Sequence, residues 1–415
     1  TEAGINPGRV ELVREVTTAE GDPYPPVDVD RVGYSDTIRE FSWAPSPNNE
    51  AQRGLGDVDP DRFEKLAEEH SLTVMYDLQQ WFIDGTGDPL DPAYDGMART
   101  AENKLPNTHT VTQRNDLGDL APSSTINGTT AKDTRVYTVG IGGSVATVDL
   151  TGDPGDAGAM VQAELGYEFI QARSYQIDQP DASTELDVVS SDATDTTQTV
   201  IIEDEAGTQA TVTLNGVTTV TTTGISFADI DAIWITDGAG APTDTAGDVT
   251  VSETGGDDLA VINGSNAYED VEGDYGVPAL GTGTHAGTIG SAYEKFIGDT
   301  ITDAGSALAF DINSFGVTIE NNVERTNRDD SFGMRIHVGP RDTEVTATVT
   351  GEVETHDKIM RSLQNTAGDI VWTMDGGTLT FPNAVLTGPG DRAVEESQAV
   401  IQPDNSFEST GVQIA

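Results

Sequence analysis

The chain of 415 residues is strongly acidic, with 71 Asp and Glu residues against 21 Lys and Arg residues and a formal net charge of −50. This charge repels itself at low ionic strength, whereas 1 M salt shortens the Debye length to roughly 3 Å, so the composition predicts a protein adapted to brine. The chain has no basic cluster to neutralise phosphates and no cysteine, which excludes a basic nucleic-acid-binding surface, disulfides, Cys-ligated zinc and thiol catalysis.

Hydropathy indicates an ordered protein without a membrane segment. Hydrophobic residues make up 36% of the chain and are clearly patterned, which argues against an acidic disordered chain. The first residues lack the apolar stretch of a secretion signal, and no run of 18 apolar residues occurs. We therefore expect a soluble protein of two or three domains that is made in the cytoplasm.

Most apolar runs are short and alternate with polar residues, a pattern typical of β-strands. Only two segments have the spacing of short helices, Pro60–His70 and Thr355–Leu363. The sequence thus predicts an all-β chain with two short flanking helices. The predicted strands are Leu72–Leu78, Arg135–Val139, Val145–Leu150, Val161–Phe169, Phe315–Glu320, Met334–Val338, Val345–Val353 and Gly377–Phe381.

Residues 181–262 differ from their surroundings, because short strands recur there every eight to twelve residues between Gly- and Asp-rich turns. This rhythm predicts a small immunoglobulin-like β-sandwich. We interpret it as a domain inserted into a larger one, since exposed loops tolerate such insertions. The predicted organisation is a first β domain at 1–180, the insert at 181–262, a linker at 263–290 and a second β domain at 291–415.

The two outer domains resemble each other in sequence, which predicts an internal duplication. Asn48-Asn49 matches Asn321-Asn322, and the strand at Leu72 matches the strand at Val345, both with an offset of 273. The stretch GGSVATVDLTGDPGD matches GGTLTFPNAVLTGPGD with an offset of about 235. We attribute the smaller offset to a longer loop in the first copy.

The sequence contains no motif of a known catalytic or metal centre. The five histidines are scattered, and HExxH, GxSxG and P-loop patterns are missing. Asp57, Asp59 and Asp61, with Glu68 at the twelfth position, have a spacing similar to the oxygen ligands of a calcium loop, but Arg62 stands where that loop needs glycine. The alternative is a set of acids at the start of the first predicted helix. We predict no catalytic or cofactor-binding residue and name these four carboxylates as the one candidate metal site.

Paired carboxylates, as in glycosidases, are common in so acidic a chain. Carbohydrate enzymes also need aromatic platforms, yet aromatic residues make up only 6% of this chain. The four Trp residues lie within apolar patterns and are expected to pack in cores or interfaces. They are Trp43, Trp81, Trp234 and Trp372.

The segment Phe315–Ala415 resembles the tail tube proteins of long-tailed phages. A strand, FGVTIENN, is followed by GMRIHVGPRDTEVTATVTGEVETHDKIMRSL, which is similar to the central hairpin and helix of that family. IVWTMDGGTLTFPNAVLTGPGD and a final strand in EESQAVIQPDNSFESTGVQIA complete the order. The resemblance implies two tube-type rolled-sheet domains, with the insert similar to the immunoglobulin-like decorations of phage tails.

The resemblance also implies a function and partners. The chain is expected to be a non-enzymatic virion protein of a haloarchaeal virus that forms stacked rings of a hollow tail tube, assembled in the host cytoplasm. Two tube domains in one chain favour a trimer with pseudo-sixfold symmetry over a hexamer. Tape-measure, tail-terminator and tail-tip proteins are the implied partners, and DNA passes through the lumen. The alternatives are a major capsid protein, a cell-surface β-protein of a halophile and a carbohydrate-active enzyme.

Overall fold

The computed structural model describes residues 10–14, 31–33, 38–46, 49–52, 62–65, 69–78, 92–98, 108–116, 133–153, 160–239, 243–264, 276–277, 294–303, 306–307, 312–327, 334–349, 367–388 and 404–415. These residues form 28 β-strands and one short α-helix, which confirms the predicted all-β fold class. No helix among them is long and apolar enough to span a membrane.

Ten strands and the helix precede residue 180, and we call this part the first repeat. They are β1 Val10–Arg14, β2 Arg31–Gly33, β3 Ile38–Ser46, β4 Asn49–Gln52, β5 Arg62–Lys65, β6 Glu69–Asp77, α1 Pro92–Met97, β7 His109–Asp116, β8 Thr134–Gly152, β9 Val161–Phe169 and β10 Gln171–Asp178. The next eight strands form the insert: β11 Leu186–Ser190, β12 Thr199–Glu203, β13 Gln209–Thr213, β14 Val220–Thr221, β15 Ala232–Thr236, β16 Val249–Glu253, β17 Asp258–Ile262 and β18 Gly276–Val277.

The last ten strands form what we call the second repeat. They are β19 Thr300–Asp303, β20 Ser306–Ala307, β21 Ile312–Glu320, β22 Val323–Asn327, β23 Met334–Val338, β24 Asp342–Val349, β25 Gly368–Met374, β26 Gly377–Gly388, β27 Asp404–Ser409 and β28 Gln413–Ile414.

The two repeats have the same strand pairing in the same chain order. In the first, β1 pairs with β2 and β7, β8 with β7, β9 and β10, β6 with β9 and β3, and β4 with β5. In the second, β19 pairs with β20 and β25, β26 with β25, β27 and β28, β24 with β27 and β21, and β22 with β23. All sixteen pairs are antiparallel, and each pair in one repeat has its counterpart in the other.

Irregularities of the ladder also recur at matching places. The described strands of each repeat contain three register shifts of the kind that a β-bulge produces, in which one strand has an extra residue and bends. The bulges lie between Ile38 and Glu40, His109 and Val111, and Val145 and Thr147, and again between Ile312 and Ser314, Gly368 and Ile370, and Leu386 and Gly388. Matching the shift after Ile38 to the shift after Ile312 gives an offset of 274 from β3 to β21. This is one more than the offset of the two Asn–Asn pairs.

Counting from the bulges defines which residues of the repeats are equivalent. Leu72 is equivalent to Val345, the offset of 273 that the sequence predicts. Val145 in β8 is equivalent to Leu386 in β26, an offset of 241, so the predicted offset of about 235 is wrong. The two glycine pairs are not structurally equivalent: Gly142 lies inside β8, whereas Gly376 lies in the turn before β26 and Gly377 is its first residue.

A long bulged strand joins two sheets in each repeat. The first half of β8 lies between β7 and β10, and its second half lies between β9 and β21. The pairing of β8 with β21 links both repeats into one network of 16 strands, and within it we call the run β3–β6–β9–β8–β21–β24–β27–β26 the eight-stranded sheet. β26 ends this run with its second half, which pairs with β27, whereas its first half pairs with β25 and β28. A single apolar cluster with residues from both repeats packs on this sheet and includes Leu72, Tyr167, Phe315 and Trp372.

The insert consists of two four-stranded sheets, β14–β11–β16–β17 and β13–β12–β15–β18. They share a second apolar cluster with Tyr137, Val139 and Ile141 from β8 and with Tyr175 and Ile177 from β10. One face of the first repeat therefore completes the core of the insert. β18 lies in the stretch predicted as linker. It pairs with β15 and thereby extends one sheet of the insert.

One predicted helix is wrong. Within Pro60–His70, the chain instead forms β5, which pairs with β4, and the start of β6, which pairs with β3 and β9. Pairing across strands overrides the weak helical spacing of Phe63 and Leu66. The second predicted helix, Thr355–Leu363, lies outside the described residues. The helix α1 was not predicted, and the segments Arg135–Val139 and Val145–Leu150 belong to a single strand.

Candidate functional site: the sheet junction between the repeats

The two repeats meet where β21 pairs with the second half of β8, and we call this contact the junction. The register runs from Phe315 opposite Gly152 to Glu320 opposite Thr147. Because β21 also pairs with β24, both of its edges are occupied. Phe315 and Val317 are consequently buried, with 1% and 2% of their surface exposed.

Aromatic rings close one end of the junction. Phe296, just before β19, lies against Gly152, where an added Cβ would overlap its ring. Trp372 is fully buried and contacts Phe315 and Phe296 edge to face, with ring centroids 5.0 and 6.2 Å apart. Such pairs add roughly 0.5–1.5 kcal/mol beyond their buried area. Gly152 is thus needed for close approach of the second repeat.

Polar contacts hold the other end. The backbone N–H of Asn321 donates to Ala146 O at 2.8 Å, and its side-chain amide donates to Val145 O and Gly96 O, both at 2.9 Å. These bonds tie the loop after β21 to β8 and to the end of α1. Asn321 is completely buried, so each bond matters, because an unmade one would cost about 1–3 kcal/mol.

Arg341 caps the C-terminal end of α1 from the second repeat. Its guanidinium donates to Asn321 Oδ1 at 3.0 Å, to Gly96 O at 2.9 Å and to the carbonyl of Met97. The last carbonyls of a helix have no partner within it and carry partial negative charge. One cation of the second repeat therefore satisfies orphan groups of the first.

β3 is the strand of the first repeat equivalent to β21, but only one of its edges is paired. Among the described residues it pairs with β6 alone. Phe41 and Trp43, equivalent to Phe315 and Val317, are only half-buried, and Ser42 is exposed. Among the residues that the structure describes, the same strand position is thus covered in one repeat and open in the other.

A group of carboxylates lies beside the aromatic end of the junction. Glu294 is buried and accepts the backbone N–H groups of Asp375 and Gly376 at 2.8 and 3.0 Å, while burial raises its pKa. Asp299 accepts the indole N–H of Trp372 at 2.7 Å. Burial, and to a smaller extent the charges of Glu294 and Asp375, raise the pKa of Asp299 to about 7.

Two arginines fasten the insert to the first repeat. Arg114 in β7 pairs with the buried Asp231 and with Glu205, its Nη2 lying 3.0 Å from Glu205 Oε1. Arg135 in β8 reaches the same Glu205 oxygen at 2.9 Å, and Tyr137 Oη donates to Asp231 O at 2.7 Å. The insert is held by charge-assisted bonds as well as by its shared core.

The four carboxylates of the predicted metal site, Asp57, Asp59, Asp61 and Glu68, lie outside the described residues. The structure instead brings Asp181, Glu253 and Asp257 of the insert together, with carboxylate oxygens within 4.8 Å of one another. The backbone N–H of Asp181 donates to Glu253 Oε1, which gives this group a structural role. Of the four tryptophans, Trp43 and Trp372 pack on the large core, as the sequence predicts.

The sequence predicted strands on both sides of the junction but not the side chains that fix it. Asn321 carried a signal, because it belongs to the repeated Asn–Asn pair. Arg341 is one of few basic residues in an acidic chain, and this scarcity was the available signal. No family model and no curated protein matches the sequence.

Proposed function

We propose that the chain is a structural protein that assembles with copies of itself into stacked rings, which form the hollow tail tube of a haloarchaeal virus. The observation that carries the proposal is the junction, where one repeat extends the sheet of the other. A subunit that adds copies through unlike edges builds a ring if the rotation closes and a filament if it does not.

The shape of the eight-stranded sheet supports this function. Its two end strands, β3 and β26, are the counterparts of the two strands that pair at the junction. Exposed sheet edges promote uncontrolled association, and closing the sheet on itself removes them. The sequence resemblance favours a tube over other closed assemblies.

Three chains would place six repeats in a ring, which is the trimer with pseudo-sixfold symmetry. Acidic residues facing the lumen would keep DNA from adhering as it passes. Tape-measure, tail-terminator and tail-tip proteins would occupy the lumen and the tube ends. In this arrangement the protein needs no catalytic residue.

Electron microscopy of the purified protein in molar KCl tests the proposal. We expect hollow tubes, since molar salt screens the charge of −50 that otherwise opposes association. Rings seen end-on should show three large lobes for a trimer, and six equal lobes would indicate a hexamer. Monomers alone, or icosahedral shells as expected of a capsid protein, would contradict the tube.

A further inference from the structure

We propose that the open edge of β3 pairs with the end of β26 in a second copy of the chain, in the register of the internal junction. This inference rests on the proposed function, because it names the contact by which one copy adds to the next. The partner is a second copy because the chain itself already shows how these two kinds of strand fit together.

The strands that pair at the junction have counterparts in the other repeat. β21 pairs with β8 inside the chain, β3 is equivalent to β21, and β26 is equivalent to β8. The offsets of 274 and 241 place one junction pair on residues that are both described, because the partners of residues 41–45 in this register, 389–393, lie outside the described residues. Glu320 opposite Thr147 becomes Ser46 of one copy opposite Gly388 of the next.

The residues of β3 are more exposed than their counterparts in β21. Each described residue from Glu40 to Ala44 is more exposed than its counterpart in β21. Phe41 is the same residue type as its counterpart Phe315, which is 1% exposed at the junction. A half-buried Phe and Trp on a strand with one edge unpaired among the described residues are a liability that native proteins cover.

The positions of β3 and β26 in the sheet determine how two copies would join. β3 and β26 lie at opposite ends of the eight-stranded sheet and do not pair with each other in the structure. One copy therefore offers one open edge of each kind, and the contact between copies is head to tail. The two residues of the proposed pair, Ser46 and Gly388, are the last residues of β3 and β26.

Cysteine cross-linking tests the register, because the natural chain has no cysteine. Chains carrying Ser46→Cys are mixed with chains carrying Gly388→Cys in molar KCl, oxidised, and separated under non-reducing conditions. Directly opposed residues of antiparallel strands have Cα atoms about 4.5–5.5 Å apart, within disulfide range. We expect at least about tenfold more cross-linked dimer in the mixture than in either variant alone, because assembly raises the effective concentration.

Two controls define the result. Thr147→Cys with Glu320→Cys in one chain should form an intrachain disulfide that is independent of concentration, because those residues are already paired. Ser42→Cys mixed with Gly388→Cys should give little dimer, since Ser42 lies four residues along the strand, about 13 Å away. Equal cross-linking of Ser42→Cys and Ser46→Cys would overturn the register.

Microscopy of the same samples separates this inference from the proposed function. Tubes without a Ser46–Gly388 cross-link, in a preparation where the intrachain control forms, would overturn the β3 contact and leave the tube standing. Cross-linked open chains without rings or tubes would support the contact and contradict the tube. Dimer in the mixture together with tubes supports both.

Discussion

Asp299 lies half-buried against Trp372, and its ionisation opposes folding. Its pKa rises from 3.8 to about 7 in the folded protein, chiefly because burial disfavours the charged carboxylate. The stabilisation by the neutral form is thus fully present below pH 4 and is lost as pH rises through 7.

We predict that Asp299→Asn raises the free energy of unfolding at pH 8 by about 1–2 kcal/mol, a value reduced for partial solvent exposure. The Asn side chain stays neutral and still accepts the bond from Trp372. Chemical denaturation at pH 5 and pH 8 should show a smaller pH dependence than in the natural protein. Glu408→Gln, at an exposed carboxylate of β27, is the control; an unchanged pH dependence in Asp299→Asn would refute the assignment.

The guanidinium of Arg341 caps α1 across the junction. We predict that Arg341→Ala lowers the free energy of unfolding by about 2–3 kcal/mol, because bonds from a charged donor to helix carbonyls are lost. Arg341→Lys keeps the charge but not the fork of donors, so its loss should be intermediate. Thermal or chemical unfolding checks the order; equal stability of all three proteins would show that the cap contributes nothing.

At the scale of elements, the insert is an addition to one face of one repeat. Tyr137 and Val139 of β8 belong to its core, whereas their equivalents in β26 are Thr378 and Thr380. The second repeat thus carries polar residues on the corresponding strand. The insert docks on the first repeat because only that face is apolar.

Deleting Ala182–Val261 should leave tubes intact but thinner once the apolar face that it uncovers is made polar, since the insert does not take part in the eight-stranded sheet. The deletion also uncovers apolar side chains of β8, so we expect aggregation unless Tyr137→Thr and Val139→Thr are added. Electron microscopy of the deletion with and without these changes measures tube diameter and solubility. Loss of tubes in the soluble triple variant would mean that the insert is part of the assembly.

At the scale of the molecule, one sheet runs through both repeats and ends in two unlike edges. The pairing of β21 with β8 inside one chain and the proposed pairing of β3 with β26 between two chains are the same kind of contact. Two repeats in one chain would halve the number of chains that the proposed ring needs. The large negative charge is compatible with this assembly only where salt screens it.

Local patterning predicted a large part of the fold. Val161–Phe169 and Met334–Val338 were predicted with the bounds that β9 and β23 have, because alternation with period two is written into consecutive residues. The offset from Leu72 to Val345 was also readable, since equivalent strands keep equivalent spacing. The domain limits at 180, 262 and 290 stay predictions.

The sequence by itself determined the strand class, the acidity and the presence of two related halves, since each depends on composition or on neighbours along the chain. Only the tertiary structure decided that β21 pairs with β8, that residues 62–65 form a strand and that Arg341 caps α1. These contacts join residues far apart in the chain, and no local period specifies them. Their register depends on bulges such as that between Val145 and Thr147, which appear only once strands pair.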